Sequence, residues 1–155
     1  MSSKNWKKPP VLKVFEALSA IADGRVNEIS EGLAKVISSD RTKSYTVKWN
    51  SVTREVYSDD NASHWQGYLG YPGIAYLMKK GVLPFDAELA KQFAGIEWKK
   101  LNSRFREHEK VINYLATEMH IDIETARMFA DKVIASFSQL HLQKWTSSKL
   151  ENSPV

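Results

Sequence analysis

The strongest constraint in this sequence is a change in the period of its apolar residues. From Pro10 to Asp23, the side chains Val11, Val14, Phe15, Leu18, Ile21 and Ala22 recur at three- and four-residue steps, the spacing of one helical face. Pro10 suits a first turn and Gly24 a left-handed stop, so a helix is expected over 10–23. Between residues 24 and 60 the period shortens to two. In Lys43–Trp49, Tyr45, Val47 and Trp49 fall on one side while Ser44, Thr46 and Lys48 fall on the other, as a half-buried antiparallel strand requires. The runs Leu33–Ser39 and Arg54–Ser58 flank it, separated by Asp40–Thr42 and Asn50–Thr53, connections of hairpin length. The expected result is a small antiparallel meander of three strands, with Arg25–Ile29 as a fourth, weaker one.

Helical spacing then returns. Ser58–Asn61 supplies capping groups for a short helix, Ala62–Gln66. Gly67, Gly70, Pro72 and Gly73 break it and open another through Ile74, Ala75, Leu77 and Met78, ending at Gly81. A short helix is expected over Asp86–Ala94. Trp98, Leu101, Phe105, Ile112, Leu115 and Met119 mark one long amphipathic helix from about 96 to 119, about 36 Å in length. Asp122 caps the last helix, in which Ala126, Ala130, Val133, Phe137 and Leu140 face one way. The expected class is α+β: an N-terminal helix, the meander, and a predominantly helical C-terminal half whose two long helices form an antiparallel hairpin. A basic flexible tail (1–9), a single domain (10–145, with a mixed part over 10–83 and a helical part over 84–145) and a frayed C-terminus (146–155) complete the expected organisation.

Composition removes several function classes. The chain of 155 residues contains no cysteine, which excludes thiolate catalysis, disulfides and cysteine zinc sites and favours a cytoplasmic home. No apolar run approaches the roughly 18 to 20 residues of a membrane span, and Met1–Pro10 lacks the apolar core of a secretory leader. Among the histidines, His108-Glu109 opens like a metalloprotease helix, but Ile112 stands where the second ligand would be. His108, between Phe105 and Ile112, is expected at the rim of the core. Asp122, expected to start a new helix, separates His120 from Glu124. The glycines at 67, 70 and 73 form neither a dinucleotide fingerprint nor a phosphate loop, and are expected to serve backbone geometry. Asp59 and Asp60 are expected as helix caps. No serine lies in a nucleophile elbow. No catalytic residue, metal or cofactor is called for.

The order of elements around the meander resembles one known family. Val36-Ile37-Ser38, Tyr45-Thr46-Val47, Glu55-Val56-Tyr57 and Gly70-Tyr71-Pro72-Gly73-Ile74-Ala75-Tyr76-Leu77 resemble the ββα arrangement of the SWIM-type zinc finger. Ile74, Ala75 and Leu77 match its helix. Its ligands are missing: Ser58 and Asp60 stand where a Cys-x-Cys pair would be, and Tyr71 and Gly73 where a Cys-x-His pair would be. The resemblance therefore implies a degenerate module without zinc, whose partner class is DNA or protein.

Charge supports the nucleic-acid side of that pair. Twenty-two Lys and Arg against 18 Asp and Glu leave a net charge of +4, with a sequence pI near 9.2, a surplus that favours acidic partners. The meander carries Lys35, Arg41, Lys43, Lys48 and Arg54, with Arg41 and Lys43 at a hairpin tip that can reach phosphates. The expected long helix adds Lys99, Arg106 and Lys110 along one side, with Lys100 and Arg104 close by; Glu97, Glu107 and Glu109 interrupt that stripe. Among the aromatics, Trp65, Tyr68 and Tyr76 are expected to pack on Tyr45, Val47 and Trp49, leaving Tyr71 as the exposed contact. The favoured function is a non-catalytic nucleic-acid-binding module. The alternative is a protein-interaction or scaffold subunit, or a homodimer, using Ile123, Phe129, Ile134 and Trp145 off the main stripe of the final helix.

Overall fold

A computed structural model of the chain describes residues 4–145. Its centre is α1 (Val11–Ala22), in which Leu12 and every residue from Val14 to Ala20 are buried. A helix covered on all sides needs neighbours on all sides. These are α2 (Tyr71–Lys79), α3 (Ala87–Gln92) and α6 (Ile123–Gln139), all in contact with α1. Phe15 of α1 stacks on Phe93, just beyond α3, with ring centroids 4.9 Å apart. Two further helices, α4 (Trp98–Phe105) and α5 (His108–Thr117), pack against each other, and α5 packs on α6.

The strands β1 (Val26–Ser30), β2 (Leu33–Ile37), β3 (Ser44–Asn50) and β4 (Glu55–Ser58) form the expected antiparallel meander in sequential order, including the weaker first strand. Ala34 pairs with Val47, and Trp49 with Val56, so the alternation read from β3 continues into its neighbours. Ala34, Val36, Val47 and Val56 are completely buried, and α2 covers this face. All of Pro72–Met78 is buried, because α2 lies between the sheet and α1. The opposite face presents Lys35, Thr46, Lys48 and Tyr57, in agreement with the two-residue period.

A polar cluster joins the end of β4 to the start of α2. The Asp60 carboxylate accepts hydrogen bonds from Ser58 Oγ (2.5 Å), Ser63 Oγ (2.7 Å) and Ser63 N (3.1 Å), and Ser63 Oγ accepts one from Gly70 N (2.8 Å). Ser63 lies in a π-helical turn, Ala62–Gln66. The three chain segments meet too closely for a side chain at position 70: a Cβ there would lie 1.9 Å from Asp60 Oδ2. Gly67 in turn takes a φ of 80° to end the π-helical turn.

Several expectations need correction. The helix expected over 96–119 is two helices, because Arg106 adopts a left-handed φ of 58° and the chain folds back. The apolar stripe lapses over Arg106–Lys110, five polar residues in succession, so a continuous helix would gain no burial there. The hairpin of two long helices is replaced by a shorter one between α4 and α5, closed by Phe105 against Tyr114 at 5.4 Å. His108 begins α5 and is exposed, not at the core rim. The described part of the tail, residues 4–9, is tied down: Lys7 N donates to Gly67 O (2.9 Å), Asn5 bridges to Gln143, and Trp6 packs against the core. A fifth strand, β5 (Gln143–Lys144), pairs in parallel with Glu55 and Val56 of β4; two residues are too few to show a period. The expected fraying over 146–155 lies outside the described residues.

Replacing Gly70 by alanine drives the new methyl into a buried, hydrogen-bonded carboxylate. Gly70→Ala is expected to lower stability by about 2 kcal/mol or more, seen as a lower denaturation midpoint with an unchanged slope. A midpoint within error of the parent would show that the Asp60 cluster is not rigid.

Candidate functional site: a pocket at the hairpin tip

The ten basic residues singled out in the sequence separate into three groups. Lys35 and Lys48 lie on the open face of the sheet, Lys35 Nζ donating to Thr46 Oγ1 at 2.6 Å. Arg54, in the β3–β4 turn, donates to Leu140 O at 2.9 Å. At the far end of α4, the Arg104 guanidinium lies over the rings of Phe105 and Tyr114, at 4.8 and 5.7 Å; Arg106 comes next in the break, and Lys110 pairs with Glu107 at 2.9 Å. The break at Arg106 thus removes the single basic stripe expected on one helix. The third group is assembled by the fold: the β2–β3 turn, which carries Arg41 and Lys43, meets α4, which carries Lys99 and Lys100. Lys99 Nζ lies 3.6 Å from Asp40 Oδ2, and Lys100 pairs with Glu97 at 3.2 Å. Among the described residues, Arg41 and Lys43 have no carboxylate partner; Arg41 reaches the carbonyl of Asp23 at 3.5 Å.

Lys43 and Lys99 of this group border a pocket of about 230 Å³ between α1, the β2–β3 hairpin, the start of α2 and α4. Its deep residues are buried and its mouth is charged. Glu16 of α1, only 5% exposed, contributes a carboxylate, with Lys13 Nζ at 3.1 Å from Oε1. Burial works against the charge of Lys13, but the field and hydrogen bond of Glu16 outweigh it and hold the ammonium pKa above its ordinary value. Tyr45, Tyr71 and Trp98 supply aromatic surface. The two tyrosine rings meet edge to face, with centroids 6.2 Å apart at 81°. Trp98 is 4% exposed, and its indole N–H finds no acceptor among the described residues. Lys43 and Lys99, both exposed, stand at the opening.

Tyr71 was expected as the exposed aromatic. It is half-buried instead, because it heads α2 where that helix passes beneath β3, and Trp65, at 74% exposure, takes the open position. Burial pushes the Tyr71 hydroxyl well above the ordinary phenol range, although Arg25 pulls the other way. Arg25 is 1% exposed; it donates to Ile37 O at 2.7 Å, lies 3.4 Å from Asp23 Oδ2, and its guanidinium carbon sits 6.0 Å from the Tyr71 ring centre. Tyr45 is raised by burial and then by neighbouring carboxylates. Both phenols therefore remain hydrogen-bond donors at neutral pH.

The residues that sequence reasoning misses are Glu16 and Arg25. Their signal is present in part: Glu16 stands between the apolar pairs Val14-Phe15 and Ala17-Leu18, a charged residue in a densely apolar stretch. Trp98 reads as core, which it is, but its position in the apolar stripe says nothing of its N–H. The apolar side chains behind the alternative function, Ile123, Phe129 and Ile134, pack against the core.

Fold and site together define a cysteine-free α+β protein with a mixed five-stranded sheet and an aromatic pocket opening beside a basic hairpin tip. Over residues 6–143 the chain matches the family described as Uncharacterised conserved protein UCP014422, and it belongs to that family. No curated protein and no solved structure matches the chain. No helix among the described residues is long and apolar enough to cross a membrane.

The tip that borders the pocket is held by Asp40, which accepts from Thr42 Oγ1 (2.7 Å), Thr42 N (3.1 Å) and Ser38 Oγ (2.8 Å). The Thr42 bonds, then Ser38, hold its carboxyl far below the usual carboxylate range. A depressed folded-state pKa contributes stability above the unfolded value, about 3.9, that is lost as pH falls through the folded value. The Thr42 amide should therefore stay protected from exchange near neutrality and lose protection only under strong acid. Asp40→Ala should expose it at neutral pH; equal exchange rates in the two proteins would refute the role of Asp40.

Proposed function

We propose that this chain is a non-catalytic nucleic-acid-binding module that attaches through phosphate contacts from the β2–β3 tip and α4. The observation that carries this reading is convergence. Lys43, without a carboxylate partner among the described residues, stands over the same opening as Lys99, which lies more than fifty residues further along the chain, and Arg41 belongs to the same turn as Lys43. Cations gathered at one mouth release counterions together when a phosphate backbone approaches, whereas scattered cations do not. Lys35 and Lys48 on the open sheet face extend the basic surface beyond the tip, and exposed Trp65 offers a ring on which a base can stack. The SWIM-like order of strands and helix supports the same partner class. Cytoplasmic placement belongs to this proposal and is supported by the absence of cysteine.

The test is the salt dependence of binding to mixed-sequence strands, followed by fluorescence anisotropy. Log affinity should fall linearly with log salt, and Arg41→Glu with Lys43→Glu should weaken binding and reduce the single-strand slope by about 1.4 if two phosphate contacts are lost. The double variant should unfold at the parental midpoint. A slope unaffected by the substitutions, or no anisotropy change at low salt, would remove the proposal.

A further inference from the structure

We propose that the strand bound at the β2–β3 tip is RNA, selected by a ribose 2′-hydroxyl seated between the Asp40 carboxylate and the Lys99 ammonium; this rests on the nucleic-acid function proposed above. The starting observation is a carboxylate among cations. Asp40 shares its turn with Arg41 and Lys43 and lies across from Lys99. A surface shaped for phosphates alone would not carry a negative charge at that point, because like charges repel.

The two oxygens of that carboxylate are differently placed. Oδ1 accepts from Ser38 Oγ, Thr42 Oγ1 and Thr42 N, and so holds the turn. Oδ2 takes none of these bonds. Lys99 Nζ stands 3.6 Å from it, beyond the length of an N–H···O hydrogen bond. The Asp40 side chain is 34% exposed and that of Lys99 73%, so both are open to a ligand at the surface. The bonds from Thr42 and Ser38 keep Asp40 ionised at neutral pH, and an ionised carboxylate can only accept.

An acceptor and a donor held slightly too far apart to bond one another call for a group that does both. A hydroxyl donates to Oδ2 and accepts from the Lys99 ammonium. A phosphate oxygen only accepts, which satisfies Lys99 and leaves Asp40 opposed. Inside a nucleic-acid strand the hydroxyl of this kind is the ribose 2′-OH, the group by which a protein tells RNA from DNA. DNA would present a methylene there, and Asp40 would lose water without gaining a partner. The backbone follows from the same placement. The 2′-carbon adjoins the carbon that bears the 3′-phosphate, so a hydroxyl at Asp40 brings that phosphate to the tip that carries Arg41 and Lys43, cations without a carboxylate partner among the described residues.

The experiment compares one short labelled sequence made as RNA, as DNA and as 2′-fluoro RNA, titrated with the full chain at low salt and followed by fluorescence anisotropy. The fluoro strand keeps the sugar shape of RNA and lacks the hydrogen to donate, so it separates the hydroxyl from strand geometry without altering the protein. RNA should bind roughly tenfold tighter than either analogue, as one hydrogen bond to a charged group implies. Asp40→Asn retains an oxygen for Ser38 and Thr42 but removes the charge; it should bind all three strands more tightly and bring their affinities together. Equal affinity of the unaltered protein for RNA and its fluoro analogue would overturn the hydroxyl site and leave nucleic-acid binding standing. A preference for RNA that survives Asp40→Asn would overturn the assignment to Asp40. No anisotropy change with any strand would remove this inference together with the function beneath it.

Discussion

The whole architecture answers to one constraint, the burial of α1 on every side. A helix with a single apolar stripe can lie on a surface; one whose residues from Val14 to Ala20 are all covered must be enclosed. Enclosure dictates the placement of the other elements. α2 comes between α1 and the sheet, while α3 and α6 close the remaining sides. The sheet then has one face against α2 and one in water, which is why its strands alternate while α1 does not. The tying down of the tail by Trp6 and the late addition of β5 complete the periphery of the same core.

Enclosure also accounts for the character of the pocket. A central helix that carries Glu16 must either pair that carboxylate or give it access to something polar, because an isolated buried charge is costly. Lys13 meets part of the need, one turn earlier on the same helix. The cavity that Glu16 lines with Tyr45 and Tyr71 opens between charged side chains. Trp98 keeps a buried N–H without a partner beside the same cavity. One buried carboxylate and one partnerless N–H thus belong to residues that line the same cavity, and the basic hairpin tip stands beside it.

Much of the fold was legible because local periodicity is a short-range property. The meander, its weak first strand, the Asp122 cap and the stops at Gly67 and Gly81 depend on residues within a turn or two of each other. The break at Arg106 was less legible: the gap in the apolar stripe was visible, but whether the chain continues through such a gap depends on what it would bury beyond it. The site was legible only in part. Lys43 and Lys99 are evident as cations from the sequence, but their meeting is not. Tyr71 reads as solvent-facing because a helix start in a glycine-rich joint looks open when the strand above it is ignored.

The sequence by itself determined the class of fold, the two faces of the sheet and the surplus of positive charge, since these depend on residue type and spacing along the chain. Tertiary structure alone decided which cations share a surface, that Glu16 and Arg25 are interior, and that an aromatic pocket exists. The physical reason is separation. Glu16, Lys43, Tyr71 and Trp98 come from four segments that touch only after α1 has been enclosed, and no local pattern carries the distance between residues that meet through a common core.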